Sequence, residues 1–276
     1  PCRPPRLGVT VGGVSAARGS APVPDADAAA NDDFAYHLVV RAPAPGFLPR
    51  LSPTEPIIPA GGATLATITL ERRDGFTGAV RIEPVTTPPG LTITPTIVEA
   101  DRPEAEVLIA ADADASSFFT DGLELKAVAL DHADDPAWQR TIKSGSITVA
   151  RMNDLTIEPI STDPITLKPG GVTTFAFRVN RLNPEIGRIP VEFKNLPYGV
   201  RVLNIGLNGI LVTPQETERV VELYAEPWVR PMRRPIYPTA RVEATRQVVP
   251  VAAPVELIIA DQPAVAAESS SDEASR

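Results

Sequence analysis

Two stretches of this 276-residue chain carry the same landmarks at one constant offset. A shift of 109 residues places Gly61 on Gly170 and Gly62 on Gly171. Four further landmarks obey the same shift up to residue 90: Arg72 falls on Arg181, Gly78 on Gly187, Pro88 on Pro197 and Gly90 on Gly199. Self-similarity at a fixed period is the sequence signature of a repeated structural unit. The chain is therefore predicted to contain two copies of one unit.

Apolar residues alternate with polar ones in both copies, and they do so in the same register. Period-two alternation is typical of strands with one buried face. The matched positions are Ala66, Ile68 and Leu70 with Phe175, Phe177 and Val179; Val80 and Ile82 with Ile189 and Val191; Leu91 and Ile93 with Val200 and Val202. The 31 prolines disfavour helices and suit turns and strand edges. The fold class predicted is all-β.

Strand and turn spacing further narrows the architecture. Later strands are predicted at residues 104–110, 123–129 and 146–149 of the first copy, and at 200–205, 210–212, 219–224 and 239–244 of the second. Asn208-Gly209 is the strongest hairpin signal in the chain. Strands separated by 8–12 residues in units of about 100 residues indicate two tandem Ig-like, fibronectin III-like β-sandwiches. A closed barrel is the alternative that periodicity leaves open.

Four segments follow from this organisation. Residues 1–41 contain two possible strands, at 7–11 and 34–40, and two strands alone cannot bury a core. They are interpreted as the C-terminal hairpin of an upstream β-domain. Residues 42–151 and 152–260 are the two sandwiches. Residues 261–276 are acidic and of low complexity, which predicts a disordered tail or linker.

Composition excludes several classes of function. A net charge of −8 with a pI near 4.9 disfavours nucleic-acid binding, which depends on clustered Lys and Arg. The single cysteine, Cys2, permits neither an internal disulfide nor a multi-thiolate metal site. The most apolar late stretch, residues 248–260, is interrupted by Pro250, Pro254 and Glu256, so no membrane span is predicted. A monomer is expected.

Several motifs resemble a known bacterial arrangement. The segments at residues 33–40 and 44–47 resemble the closing strand and exit of a pre-peptidase C-terminal (PPC) domain. The motifs that follow resemble the Ig-like repeats found after such domains: 58–62, 70–78, and the turns at 88–91 and 196–200. The resemblance implies a large exported multidomain bacterial protein, located outside the cell, on its surface or in the periplasm. The family has no catalytic residues that map onto this chain.

Catalytic and metal-binding patterns are scarce. No GxSxG, HExxH, GxxxxGK[ST] or GxGxxG motif occurs. The two histidines, His37 and His132, lie in different segments, so no enzyme activity is predicted. The acidic loop with Asp131, Asp134 and Asp135, aided by Asp112 and Asp114, is a weak Ca²⁺ candidate, because Ca²⁺ takes six to eight oxygen ligands. Its spacing does not match the known calcium loop, so a solvated loop is the alternative. No other cofactor is expected.

The segment at residues 226–238 is the most unusual in the chain. It combines aromatic residues with arginines in an otherwise acidic protein: Trp228, Arg230, Arg233, Arg234 and Tyr237. Such residues are enriched at interface hot spots, which suggests a docking surface. The alternative is a proline-rich crossing, with Trp228 capping the core and the arginines in water. Sugar binding is weakened by the low aromatic content, 5%, and by the placement of Trp138 and Trp228 in different units.

These observations predict a non-catalytic structural or interaction module, a set of spacer or docking repeats in a larger secreted or cell-surface bacterial protein. Its partners would be other domains of the same polypeptide, or a cell-surface protein or glycan. The alternative is an accessory module of an exported hydrolase that binds a glycan or Ca²⁺.

Overall fold

The computed structural model describes residues 8–11, 38–206, 209–243 and 245–261. Within these ranges the regular structure is β-strand, apart from two short 3₁₀ turns at Leu130–His132 and Pro136–Trp138. The predicted all-β class is confirmed. The chain divides into two compact units, residues 1–48 with 72–77, and residues 49–71 with 78–276.

The first unit is described over a small part of its length. Strands β1 (Gly8–Val11) and β2 (Leu38–Arg41) pair antiparallel, with Gly8 opposite Arg41. Farther along, the Phe47 and Phe76 rings lie 5.2 Å apart. Residues 12–37, including His37, lie outside the described residues, and the interpretation of residues 1–41 as the terminal hairpin of an upstream domain stays a prediction.

The first repeat holds eleven strands, some of them very short. In chain order they are β3 (Gly46–Ser52), β4 (Ile57–Pro59), β5 (Ala63–Arg73), β6 (Val80–Thr86), β7 (Leu91–Ile93), β8 (Thr96–Val98), β9 (Glu104–Ala111), β10 (Phe118–Phe119), β11 (Glu124–Ala129), β12 (Gln139–Lys143) and β13 (Ile147–Ala150). They form the sheets β3-β5-β9-β7, β12-β11-β6-β8 and β10-β13-β4.

The second repeat has the same strand order, except that the long β21 takes the place of both β10 and β11 and joins into one sheet what are two sheets in the first repeat. Its strands are β14 (Leu155–Pro159), β15 (Ile165–Leu167), β16 (Val172–Arg181), β17 (Ile189–Lys194), β18 (Val200–Leu203), β19 (Ile210–Val212), β20 (Glu218–Ala225), β21 (Met232–Arg241), β22 (Val248–Pro250) and β23 (Val255–Ile259). One sheet is β14-β16-β20-β18, and the other is β15-β23-β21-β17-β19 with β22 beside β21.

Each repeat is an Ig-like sandwich rather than a closed barrel. In both copies a short early strand pairs parallel with the last strand, β4 with β13 and β15 with β23, whereas central pairs such as β5 with β9 and β16 with β20 are antiparallel. Inward-facing residues of both sheets share one core in the second repeat, among them Phe177, Leu223 and Leu257. Both sheets keep open edges, which excludes the barrel alternative.

The predicted repeat is confirmed in its strand order, with a five-residue insertion before β19 that is compensated later, since Gln139 of β12 and Val248 of β22 are again 109 residues apart. The offset is 109 residues at the start of β7 and β18, Leu91 and Val200, but 114 at the start of β8 and β19, Thr96 and Ile210. The second copy therefore carries five extra residues before β19. Gly206 and Gly209 form an isolated bridge there. The hairpin predicted at Asn208-Gly209 does not join the two strands beside it, because β18 pairs with β20 and β19 pairs with β17. Asn208 itself is not described.

One strand is much longer than the sequence suggested. The strand predicted at 239–244 overlaps only the last three residues of the ten-residue β21, which begins at Met232 and ends at Arg241. Pro235 and Pro238 obscured the first half, because proline lacks the amide hydrogen of a regular ladder. In β21, residues 232–236 pair with β23 and residues 237–240 pair with β17, so the partner changes at these prolines. At each of these two prolines, β21 has a paired strand on one side only.

Candidate functional site

The predicted docking residues do not form one exposed surface. Trp228 is 56% exposed, and Arg230 and Arg233 are also exposed. Arg233 donates to Glu256 at 3.2 Å. Arg234 and Tyr237 are buried, at 8% and 0% exposure, so neither is available to an external partner. Both side chains are covered by the first repeat instead, so the alternative that places the arginines in water is wrong for Arg234.

Tyr237 is the apolar centre of a contact between the repeats, which we call the joint. The joint consists of Arg234, Tyr237 and Asn195 from the second repeat and their partners in the first. Tyr237 packs against Ala63 and Leu108, with half-buried Leu65 and Ala110 beside them. All four partners lie on β5 and β9. The outer face of this sheet is therefore apolar at the place where the second repeat covers it.

The Tyr237 hydroxyl is an unusual part of this contact. It is buried and makes no hydrogen bond of standard geometry among the described residues, although the Leu108 backbone is close enough to affect its ionisation. Burial raises the pKa of Tyr237 well above its usual value, and the negative charge of Glu106 acts in the same direction. The phenol is neutral in the folded protein and serves packing.

Arg234 adds an ion pair to the joint. Its Nη2 lies 2.6 Å from Oε1 of Glu99 in the first repeat and 3.5 Å from the carbonyl oxygen of Ile97. Burial lowers the pKa of Arg234, and the Glu99 carboxylate opposes this effect. A buried guanidinium is tolerated when a carboxylate pairs with it. The pair therefore specifies how the two sandwiches meet.

Asn195 connects the same two surfaces through its amide. Its backbone lies in the left-handed region, with φ of 62°, which asparagine tolerates better than most residues. Its Nδ2 donates to the carbonyl oxygen of Pro235 at 2.7 Å and lies 3.5 Å from Oγ1 of Thr96 in the first repeat. Thr96 is itself buried. This asparagine holds the start of β21 against the first repeat.

A groove of about 450 Å³ opens beside the joint. The first repeat contributes residues 102 and 104–106 and the second contributes residues 193–200 and Arg234. Glu106 is the most perturbed carboxyl of this groove. Burial raises its pKa, whereas a hydrogen bond from Thr67, at 3.2 Å, and the charge of Lys194 oppose that rise. The groove thus presents groups of both charge signs.

An aromatic cluster stands at one end of the groove. The Tyr198 and Trp228 rings are 5.1 Å apart and tilted by 44°. The guanidinium carbon of Arg102, from the first repeat, lies 5.6 Å from the centre of the Tyr198 ring. Gly199 lies directly under Trp228, with φ of 85°. Sequence reasoning identified Trp228 but missed Tyr198, although the Pro-x-Gly turn marked its position.

The structure does not assemble the Ca²⁺ candidates. Asp131 and Asp134 are exposed, and Asp135 uses Oδ1 to accept from the amide of Ala137 at 2.9 Å. In the part of the chain that is described, no group of three Asp, Glu, His or Cys residues is arranged to hold an ion. His132 stacks on Trp138 at 4.3 Å instead. Among the described residues, no helix is long and apolar enough to cross a bilayer.

Comparisons with known proteins give only distant structural similarity. No family model matches the chain, and no curated protein matches it. Solved structures similar to it include a protein of unknown function from Porphyromonas gingivalis W83, 10% identical over 76% of this chain and 99% of that chain, with a TM-score of 0.26. Native E. coli alpha-2-macroglobulin is 10% identical over 78% of this chain and 17% of that chain, with a TM-score of 0.31. Domains 4 and 5 of the S-layer protein SbsC are 19% identical over 50% of this chain and 65% of that chain, with a TM-score of 0.25. TM-scores this low carry no weight for function.

Proposed function

We propose that the chain is a non-catalytic spacer in a larger exported bacterial protein, in which two Ig-like sandwiches act as one stiff body. It would work as a monomer outside the cell, on its surface or in the periplasm, and would hold neighbouring domains at a set distance. The single observation that carries the proposal is the buried joint between the repeats. The resemblance of residues 33–47 to the end of a PPC domain supports the exported context.

The connection between the repeats favours stiffness. β13 ends at Ala150 and β14 begins at Leu155, so four residues join the two sandwiches. Sandwiches on a connection this short have little freedom even before they touch. The buried contacts of the joint restrict what remains, since motion between domains is expected unless their interface resists it.

The energetics of the joint point the same way. Burial of a tyrosine removes roughly 150–250 Å² from water, which at about 25 cal/mol per Å² stabilises the contact by several kcal/mol. Separation of the repeats would also expose Arg234 without Glu99 and Asn195 without its Thr96 contact. A bent or hinged arrangement therefore costs several times the thermal energy.

A distance measurement tests this proposal. Spin labels at Thr141→Cys on β12 and Thr166→Cys on β15, both exposed, would report the separation of the repeats in a Cys2→Ser background. Pulsed electron resonance should give one narrow distance distribution. Tyr237→Ala should broaden it, whereas Tyr224→Ala should not, because Tyr224 stacks with Arg201 inside the second repeat. A broad distribution in the parent protein would refute the stiff spacer.

A further inference from the structure

The two repeats build the same turn beside β7 and β18. In the first repeat, the Leu91 amide donates to Pro88 O at 3.1 Å and the Asp112 amide donates to Gly90 O at 2.8 Å. In the second repeat the matching bonds run from Val200 to Pro197 at 3.0 Å and from Glu226 to Gly199 at 2.9 Å. The backbone of this turn is therefore the same in both copies.

The two turns differ in their aromatic side chains, which only the second repeat carries. Ala115 donates to Asp112 at 3.2 Å in the first copy and Val229 donates to Glu226 at 3.1 Å in the second, which makes these pairs equivalent. Accordingly, Tyr198 takes the place of Pro89, and Trp228 takes the place of Asp114. The first repeat forms the turn without any aromatic residue, so the turn itself does not require Tyr198 or Trp228.

Both aromatic side chains are exposed yet held in place. Tyr198 is 63% exposed and Trp228 is 56% exposed. The Cη2 atom of Trp228 lies only 2.5 Å from the point where a Cβ on Gly199 would be, so the indole rests on the glycine backbone. Arg102 stacks over the Tyr198 ring from the other repeat. Two large apolar faces are thus held in place and left open to solvent: Tyr198 lines the groove, and Trp228 lies 5.1 Å from its ring.

The groove beside them supplies polar groups of both kinds. Glu104 and Glu106 offer carboxylate oxygens, and Arg102 and Lys194 offer N–H donors. Its volume of about 450 Å³ falls within the range of small-ligand sites. A strongly anionic ligand would meet the two glutamates, and a strongly cationic one would meet the arginine and the lysine. The charges therefore favour a neutral ligand that both donates and accepts hydrogen bonds.

We propose that Tyr198, Trp228 and the adjoining groove form a binding site for a neutral oligosaccharide. A sugar ring presents C–H bonds on one face, which are attracted to the negative face of an aromatic ring. Its hydroxyl groups donate to carboxylates and accept from arginine and lysine. The aromatic pair would stack one or two sugar units, and the groove would hold the next. Both repeats contribute to this site, since Arg102 and the glutamates come from the first.

The experiment uses the full chain with Trp138→Phe, which leaves Trp228 as its one tryptophan. Soluble hexamers of β-1,4-glucose, α-1,4-glucose, β-1,4-mannose and β-1,4-N-acetylglucosamine are titrated while tryptophan emission is recorded, and a glycan array extends the set. At least one neutral oligosaccharide should give a saturable change with a dissociation constant below about 1 mM, which is the weak end of specific binding.

Variants then locate the binding by calorimetry. Trp228→Asp and Tyr198→Pro install the residues of the first repeat, and each should weaken the interaction at least tenfold, about 1.4 kcal/mol. Phe118→Ser removes an aromatic residue that is 52% exposed outside this cluster, and it should leave affinity unchanged. The site rests on the fixed joint, because both repeats line it. Trp228→Asp should weaken binding without changing the distance between the repeats, so a failure of the sugar proposal is distinguishable from a failure of the stiff spacer.

Three outcomes would overturn the proposal. The first is the absence of a saturable response to any neutral glycan in the set or on the array. The second is binding that survives Trp228→Asp, because the ligand would then lie elsewhere. The third is a response to polyanionic saccharides or to peptides alone, which would contradict the inferred ligand class.

Discussion

The guanidinium of Arg234 in the second repeat lies 2.6 Å from the carboxylate of Glu99 in the first, and its side chain is only 8% exposed. The Glu99 side chain is more open, at 34%. This asymmetry matters, because the arginine bears most of the desolvation while the glutamate remains partly hydrated. The pair is therefore more sensitive to the loss of Glu99 than a surface ion pair would be to the loss of its carboxylate.

Loss of Glu99 should destabilise the protein substantially. Glu99→Ala leaves the buried Arg234 without its carboxylate, which we expect to lower the free energy of unfolding by about 2 to 4 kcal/mol. Urea denaturation followed by circular dichroism would measure it. Glu218→Ala is the control, since its pair with Arg178 is about half exposed and should cost less than about 1 kcal/mol. Equal losses in the two variants would contradict the structural role of the Arg234 pair.

The double substitution Glu99→Leu with Arg234→Met should be milder than Glu99→Ala alone. It removes both charges and restores apolar volume, and such replacements of buried pairs are often neutral or stabilising. Urea denaturation of Glu99→Leu, of Arg234→Met and of the double variant would give the coupling energy between the two positions. A double variant less stable than Glu99→Ala would show that the pair contributes more than the compensation of a buried charge.

Tyr237 should tolerate the loss of its hydroxyl but not the loss of its ring. Since the hydroxyl makes no hydrogen bond of standard geometry among the described residues, Tyr237→Phe should change stability by less than about 1 kcal/mol or increase it. Tyr237→Ala empties the centre of the joint and should cost about 3 to 5 kcal/mol. Thermal unfolding of the two variants would measure both changes in stability. A large loss for Tyr237→Phe would reveal a hydroxyl partner that the structure does not show.

The sequence predicted the sandwiches well because local rules govern them. Gly90 and Gly199 both have positive φ, and both follow a proline at the same spacing. Strand alternation likewise placed Ile82 and Val191 in their cores. These features depend on local backbone geometry and on one buried face of each strand. Both can be inferred from a short stretch of sequence.

The joint could not be predicted by the same rules. Tyr237 lies in a strand interrupted by two prolines, and alternation does not reveal that an outward-facing residue will be covered by another repeat. Leu65 and Leu108 are apolar on an outer face for the same reason. Glu99 and Arg234 are 135 residues apart, and nothing local to either position indicates the other. Contacts between repeats depend on how two folded domains are placed relative to each other.

Stability should depend on pH through Glu106. Burial raises the folded pKa of this carboxyl above the ordinary 4.5 of the unfolded chain, so the folded state binds the proton more tightly. Stability contributed by Glu106 is therefore present below pH 4.5 and is lost as pH rises through the raised folded pKa. Relative to Glu106→Gln, the parent protein should become less stable over this window. Unfolding measured from pH 4 to pH 7, with Glu104→Gln as the charge-matched control, would test the sign, and a constant difference across this range would contradict it.

Gly199 and Gly75 offer a matched pair of glycine substitutions. Both have φ of 85°, so alanine at either position carries the same backbone strain, about 1 to 2 kcal/mol. Around Gly75 a new Cβ would meet nothing within 4 Å, whereas at Gly199 it would meet Trp228 at 2.5 Å and Val229 at 2.7 Å. Gly199→Ala should therefore cost clearly more than Gly75→Ala and should displace the indole. Denaturation gives the energetic difference, and tryptophan emission in a Trp138→Phe background reports the displacement. Equal costs with unchanged emission would mean that Trp228 does not rest on this glycine in solution.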